Sequence, residues 1–265
     1  MLTGVRGALL SGQFLEEELA RTFAGELGEV AREASARALR RWWMRQSLAL
    51  GPASPLRSVL DLAALPLAEA LGFRPRDVCV SSDRALGSAQ LQIPSGRAVA
   101  LLVTAWGADL DTMWRTAVRL GASQDAAWCL CFNARALRLV DARHTYARRY
   151  VEFDLEATVA CPAVFAAFWG LLRAEAFAPP RPPPSRGARA SPCLPLVTRA
   201  VDASARRAVG VCAALREGVL KALAELVQGL AAAGVRSEST ALAAGEIYQV
   251  FEQALTVVYR ILFLL

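Results

Sequence analysis

The stretch WCLCFNARALRLVDARHTYARRYVEFDL, residues 128–155, predicts the core of the fold. Apolar and polar side chains alternate along it, the alternation breaks at Asn133 and resumes, and a third β-like run follows Arg149. A period of two is typical of half-buried strands, and Asn is favoured in turns because it tolerates left-handed backbone. The stretch therefore predicts two or three strands of a compact antiparallel sheet with arginines at its edge.

Further strand-like and helical patterns surround this stretch. Residues 77–82, 88–93 and 98–106 are strand-like, and a helix is predicted over 109–120. Apolar residues at helical spacing also predict helices within 12–48, 55–73, 162–175, 193–232 and 241–265. Pro66 suits the first turn of a helix, where its missing N–H costs nothing. This order of elements predicts an α/β core in which helices flank a mixed sheet.

A proline-rich segment, residues 177–192, divides the chain. Such a segment favours extended polyproline conformations and cannot form a core, so it is interpreted as a linker. The expected organisation is therefore an α/β domain over 1–176, the linker, and an all-α helical arm over 193–265.

Charge and composition leave two interpretations of the basic residues. The net charge is +6, and because Lys221 is the only lysine, 29 of the 30 basic residues are arginines. Arginine binds phosphate with a bidentate fork, but a basic strand edge also protects a sheet from aggregation. The candidate DNA-binding residues are the five arginines that follow the turn, namely Arg135, Arg138, Arg143, Arg148 and Arg149.

Other residue types exclude several classes of protein. The six cysteines lie among apolar neighbours and are interpreted as buried thiols, which predicts a cytoplasmic protein. His144 is the only histidine, so no zinc site is expected, and it is interpreted as an exposed loop residue. Asp141 and Asp154 are interpreted as strand-end caps or as partners of Arg138 and Arg148. No apolar stretch reaches the roughly 20 residues that span a bilayer, so no membrane partner is expected.

Several segments together resemble a known family. LLSGQFLEEEL (9–19), the stretch 128–155 and FWGLLRAEAF (168–177) resemble the PD-(D/E)xK nuclease region that opens type IIG-like restriction-modification proteins. LREGVLKALAELVQGL (215–230) and IYQVFEQALTVVYRILFLL (247–265) resemble the helical connector that leads into their DNA adenine methyltransferase. The resemblance implies a restriction-endonuclease-like domain over 1–176 and a truncated connector over 193–265. It implies DNA and a missing methyltransferase domain or partner subunit as partners.

The residues that would carry the family's nuclease chemistry are missing from this chain. That chemistry needs an Asp on one strand and a Glu or Asp two residues before a Lys on the next, because carboxylates hold Mg²⁺ at the scissile phosphate. The acid position holds Leu102 or Val103, the lysine position Thr104 or Ala105, and the first metal-ligand position Gln90 or Gln92.

Asp83 is the only nearby carboxylate and hence the one weak catalytic candidate. A degenerate nuclease fold is therefore expected, with no metal ligands and no cofactor; Mg²⁺ would be needed only if the nuclease site were active.

Two functional hypotheses follow from the sequence. The first is a DNA-associated, nuclease-like module of a type IIG-like restriction-modification system that is catalytically inactive as this chain. The alternative is a non-catalytic scaffold whose helical arm docks a partner protein. In both cases the apolar residues of 247–265 predict self-association, because a helix that is apolar all round belongs in a core.

Overall fold

One seven-stranded sheet organises the chain in the computed structural model, which describes residues 2–23, 29–93, 98–180, 194–234 and 244–264. The strand order across the sheet is β1-β7-β6-β5-β4-β3-β2. The strands are β1 (Val5–Gly7), β2 (Arg74–Val80), β3 (Gly87–Gln92), β4 (Ala98–Val103), β5 (Trp128–Phe132), β6 (Ala136–Asp141) and β7 (Tyr150–Asp154).

The sheet is mixed, as predicted. β4 and β5 are parallel, with Leu101 opposite Leu130, and every other neighbouring pair is antiparallel. A parallel pair needs a crossover connection, and a 3₁₀ turn (Leu110–Met113) followed by helix α5 (Trp114–Ser123) supplies it. The α/β class is therefore confirmed, and the two or three strands expected within 128–155 are three.

The remaining helices lie in the positions that the apolar periodicity predicts, except α6, which was not predicted. Several are continued by a turn of another helix type: Phe14–Glu18 and Val59–Ala64 are π-helical, and Ala174–Phe177 is 3₁₀-helical. Pro66 lies in the first turn of α4, as expected. The α-helices besides α5 are α1 (Leu19–Phe23), α2 (Glu29–Ala49), α3 (Leu56–Ser58), α4 (Leu65–Ala70), α6 (Leu155–Ala160), α7 (Pro162–Leu172), α8 (Leu196–Gly234) and α9 (Ala244–Leu264).

Helices cover one face of the sheet with a large apolar core. The indole N–H of Trp42 on α2 donates to the carbonyl oxygen of Ala63 at 3.0 Å, which fixes α2 to the π-helical segment. On the same face Phe153 of β7 meets Phe168 of α7 edge-on, with ring centroids 5.5 Å apart. Trp42 and Trp128 are buried and Trp43 and Trp106 half-buried, as is typical of core and core-edge aromatic residues.

The opposite face carries a smaller core beneath α5. Ala100 and Leu102 of β4 and Cys129 and Cys131 of β5 pack there. Gly121 lets α5 approach closely, because a Cβ at this position would lie 2.6 Å from the Cβ of Ala142. Central strands buried on both faces explain why residues 128–132 are almost continuously apolar.

Strand β1 was not predicted from the sequence. It has three residues, too few for an alternating pattern, and pairs with β7 through Arg6 opposite Glu152. Gly7 adopts a φ of +120°, and a Cβ there would collide with the carbonyl oxygen of Tyr150. The edge strand therefore depends on a glycine whose role only the tertiary contact reveals.

The chain divides into two compact units, Met1–Ser204 and Ala205–Leu265, and the division falls within the residues of α8. Leu196, Val197 and Val201 at the start of α8 are buried in the first unit. Most of the expected linker, residues 181–192, lies outside the described residues. Among the described residues no helix is long and apolar enough to cross a membrane.

The expectation that the cysteines are buried is correct only in part. Cys129 and Cys131 are buried on β5, whereas Cys79 and Cys212 are exposed and Cys161 is half-buried. Cys79 lies on the outermost strand β2, most of whose residues are exposed, so an apolar local sequence does not imply burial there. Cys193 lies outside the described residues.

Candidate nucleic-acid interface

The loop between β6 and β7, residues 142–149, is the most strongly basic part of residues 128–155. It carries Arg143, Arg148 and Arg149, of which the first two are exposed and the third is half-buried. The side chain of Tyr146 at its tip is 100% exposed. All three arginines lie in one loop that connects two neighbouring strands.

The base of this loop is fastened to a buried carboxylate, Asp141, the last residue of β6. Its two oxygens accept from Nε and Nη2 of Arg143 at 2.9 and 3.0 Å. Nδ1 of His144 lies 2.9 Å from Oδ2, and Nη1 of Arg149 lies 3.9 Å from the same oxygen. Burial by itself would raise the pKa of Asp141, but the hydrogen bond and charge of Arg143 and the charge of His144 outweigh it and lower that pKa.

This arrangement leaves the loop with a net positive charge in a defined conformation. Arg143 also lies over the ring of Trp128, with its guanidinium carbon 4.7 Å from the centroid, yet its side chain remains 38% exposed. Asp141 pairs with Arg143 and lies 3.9 Å from Arg149, and the exposed Arg148 adds a third positive charge to the same loop. Fixed cations lose less conformational entropy on binding phosphate than free ones do.

Asp141 and His144 form a pair that the sequence interpretation missed. His144 is an exposed loop residue, as expected, with a side chain 47% exposed, but Asp141 partners it and Arg143 rather than Arg138. Asp141-x-x-His144 is a local signal, yet an Asp three residues before a His is common in loops. The sequence alone therefore does not reveal the contact. The structure does, because it buries the carboxylate of Asp141 beside the ring of His144.

Arg138 does not belong to this surface. It is 1% exposed in the middle of β6, and its guanidinium binds Glu152 of β7 at 2.7 Å, the carbonyl oxygen of Leu110 at 2.9 Å and Asp111 at 2.7 Å. It also lies over the ring of Tyr150, 3.9 Å from the centroid. We therefore remove Arg138 from the candidate DNA contacts, because every polar group of the side chain faces the protein interior.

Glu152 is the second residue that sequence reasoning overlooked. It is buried on β7 and accepts from Arg138 on one side and, at 2.6 Å, from Nε of Arg6 of β1 on the other. The network joins three neighbouring strands on the sheet face that α5 partly covers. The hydrogen bond from Arg138 also lowers the pKa of the more exposed Asp111, despite some opposing desolvation.

Arg135 lies apart from the loop, at the opposite end of β6. Because a six-residue strand spans about 20 Å, Arg135 is separated by the length of β6 from the arginines of the loop. A single short contact with a DNA duplex does not easily include both. Arg135 is exposed and lies 5.5 Å from the centroid of Trp106. Of the five candidate arginines, the structure thus brings three together, buries one and separates one.

Asn133 makes the turn between β5 and β6, as predicted. Its side-chain oxygen accepts from the N–H groups of Arg135 and Ala136 at 3.0 and 2.7 Å, and its amide donates to Ala108 at 2.7 Å. The residue with left-handed backbone is the next one, Ala134, at a φ of +68°. Asp154 is also a cap, as expected, since it accepts from the N–H of Ala157 at the start of α6.

The positions at which the resemblance implies metal ligands lie on two neighbouring strands and carry no carboxylate. Ser88, Gln90 and Gln92 of β3 lie opposite Leu102, Ala100 and Ala98 of β4. Leu102 is buried beneath α5, which leaves no room for a hydrated metal. Within the described residues no cluster of three His, Cys, Asp or Glu side chains could hold a metal ion.

Asp83, the one weak catalytic candidate, lies in the turn between β2 and β3. It is fully exposed and accepts from the hydroxyl of Ser81 and the N–H of Ala85. The hydrogen bond from Ser81 is the main cause that lowers its pKa. These contacts describe a side chain that closes a turn.

Comparisons of the chain with protein-family models, with curated proteins and with solved structures returned no match.

Proposed function

We propose that this chain is a DNA-associated, nuclease-like module of a type IIG-like restriction-modification system, without nuclease activity of its own. The mixed sheet supports the proposal because β3 and β4, where the family's metal ligands would lie, are neighbouring strands. The finer assignment, a degenerate PD-(D/E)xK sheet, is part of the proposal and rests on the sequence resemblance.

The observation that carries the DNA contact is the loop 142–149. It combines Arg143, Arg148 and Arg149 with a fully exposed aromatic ring, Tyr146. Clustered arginines neutralise phosphates, and an exposed aromatic side chain can stack on a base without regard to sequence. We therefore expect weak binding that does not depend on the DNA sequence.

Replacement of Arg143, Arg148 and Arg149 by Ala is expected to flatten the plot of log affinity against log salt by up to about 2–3 units, at roughly 0.9 per phosphate contact. Fluorescence anisotropy with a labelled duplex, over a range of salt concentrations, measures the slope. The matched control replaces the exposed Arg74, Arg76 and Arg119, which removes the same charge elsewhere.

An equal loss of slope in the control, or an unchanged slope in the loop variant, would place binding on another surface, such as the Arg37–Arg45 segment of α2. Because Arg143 holds Asp141, the triple variant requires a check of folding by circular dichroism. The double variant Arg148→Ala, Tyr146→Ala keeps that anchor and should still weaken binding.

Incubation of the protein with duplex DNA and Mg²⁺ or Mn²⁺ is expected to produce no cleavage. In one of the two possible frames, Leu102 and Thr104 occupy the Glu-x-Lys positions. Neither side chain can bind a metal ion as a carboxylate does. Gel analysis of a supercoiled plasmid detects a single nick. Metal-dependent nicking that persists through repurification and disappears in Asp83→Ala would show that Asp83 belongs to an active site.

The alternative, a scaffold whose helical arm docks a partner protein, is favoured by one observation. Val209, Val211, Leu215 and Leu220 on α8 are each more than half exposed. Large exposed apolar side chains on one helix are typical of protein-binding surfaces. The salt experiment separates the two functions, because a scaffold has no DNA affinity at low salt to lose.

A further inference from the structure

The sequence has a single histidine, and the structure places it in the basic loop 142–149. The side chain of His144 is 47% exposed, and the same loop carries Arg143, Arg148 and Arg149. Imidazole is the side chain whose charge ordinarily changes between pH 5 and 8, whereas arginine stays charged throughout that range. The total charge of this loop therefore depends on pH, and the dependence comes from one ring.

The contact with Asp141 decides which nitrogen of the ring takes up the proton. Nδ1 of His144 lies 2.9 Å from Oδ2 of Asp141, a fully buried carboxylate. Burial would raise the pKa of Asp141, but the hydrogen bond from Arg143 outweighs burial and lowers that pKa, so the carboxylate is ionised. An ionised carboxylate only accepts hydrogen bonds, so Nδ1 carries a hydrogen and donates it. The nitrogen left without a hydrogen in the neutral ring is Nε2, which makes no hydrogen bond within the described part of the chain.

Charged groups of three elements act around this ring. Asp141, at the end of β6, attracts the protonated ring, whereas the arginines of the loop repel it. Arg143 is held by Asp141 and also feels the charge of Asp202 on α8. Arg149 lies 3.9 Å from the same carboxylate, and Arg148 is exposed. A phosphate bound at the loop would bring a further negative charge to the ring and so favour its protonated form.

We propose that protonated His144 is a further phosphate-binding residue of the loop, so that DNA binding takes up a proton. Nε2–H of the imidazolium would donate to a phosphate oxygen, while Nδ1–H keeps its hydrogen bond to Asp141. This role rests on the proposed function, because the loop is the candidate DNA contact. A group that holds its proton more tightly in the complex contributes affinity at low pH, and that affinity is lost as the pH rises.

The primary test is the anisotropy of a labelled duplex at about pH 5.5 and about pH 7.0. Carboxyl groups ordinarily titrate below this window, and thiols and the α-amino group above it, so the single imidazole dominates the change. We expect binding at the lower pH to be tighter by about threefold or more, roughly the effect of one further phosphate contact. The slope of log affinity against log salt should also be steeper there, by up to about 0.9.

A substitution at the same position makes the result specific. The amide N–H of His144→Asn can still donate to Asp141, but the side chain is neutral at every pH, so the pH dependence should disappear. Tyr146→Ala is the matched control, because Tyr146 is exposed in the same loop and does not titrate in this window. It should weaken binding equally at both pH values. Equal affinity of the unaltered chain at both pH values, or a pH dependence that persists in His144→Asn, would overturn the proposal.

A second measurement separates this proposal from the proposed function. In protein without a histidine tag, NMR follows the titration of the single imidazole with and without sulfate, at equal ionic strength. We expect sulfate to move the midpoint to higher pH, and to move it less in Arg148→Ala. DNA binding that is independent of pH, with no effect of sulfate, would overturn the role of His144 and leave DNA binding standing. An effect of sulfate without affinity for the duplex at either pH would support an anion site at His144 and contradict the DNA-binding function.

Discussion

Replacing Arg138 by Ala is expected to lower the free energy of unfolding by about 3–5 kcal/mol, the range for breaking a buried ion pair by removing one partner. The guanidinium is enclosed by Glu152, Asp111 and the carbonyl oxygen of Leu110. Its removal leaves Glu152 buried with Arg6 as its remaining ion-pair partner and opens a cavity beside Tyr150. Urea denaturation followed by circular dichroism measures the loss.

An exposed ion pair provides the matched control. Nε of Arg57 lies 2.6 Å from Asp61 one helical turn away, a distance like that of the buried pair, but both side chains are well exposed. Arg57→Ala should cost only about 0.3–0.5 kcal/mol, because water screens the pair. A similar cost for both variants would contradict a structural role of the Arg138 network.

A double replacement tests whether charge itself is required. Arg138→Met with Glu152→Leu removes both charges and keeps apolar volume, and such exchanges are often neutral for stability. We expect this variant to recover much of the stability that Arg138→Ala loses. Because Arg6 and Asp111 would each lose a partner, full recovery is not expected.

The full chain is expected to associate with itself through α9 at tens of micromolar. Tyr248, Phe251, Leu255 and Tyr259 are all more than two-fifths exposed and recur at spacings of three or four, so they form one stripe along the helix. Full burial of such a side chain stabilises by about 1.5–3 kcal/mol, and these are half-exposed, so each could contribute about half of that. Light scattering should report a dimer or larger species.

Substitutions in the stripe give a sharper test than truncation. Phe251→Glu with Leu255→Glu should produce a monomer, as should deletion of 255–265, although the deletion also removes the buried Val258. Leu215→Glu on α8 is the matched control and should leave association unchanged. A monomeric full chain at tens of micromolar would contradict the proposal.

The hypothesis of association through 247–265 also involves Ile247, Val250 and residues 262–265. Their side chains lie outside the described residues, whereas those of Tyr248, Phe251, Leu255 and Tyr259 are described and exposed. Ala254 and Val258, one turn apart on α9, are buried, which shows that a second, adjacent face of the helix is already packed. The exposed stripe is therefore separate from the face that the chain itself covers.

Local pattern was sufficient for the secondary structure of most of the chain. The alternation in 128–155 predicted β5, β6 and β7, and the strand-like runs before it predicted β2, β3 and β4. The order of helices and strands predicted a mixed sheet, and the structure adds that β4 and β5 are its parallel pair. These features depend on periodicity and turn residues, which are properties of neighbouring residues and can be read without knowing the fold.

Tertiary structure alone decided which charged residues are available for function. Five arginines look equivalent along the sequence, but β6 places Arg138 opposite Glu152, buries it, and separates Arg135 from the loop by the length of the strand. The pairing of Asp141 with His144 and Arg143 arises from contacts between the end of β6 and the loop that follows it. The sequence by itself determined most of the elements and the absence of the Glu-x-Lys acid. Burial and strand register determined the candidate site, because side-chain environment depends on residues distant along the chain.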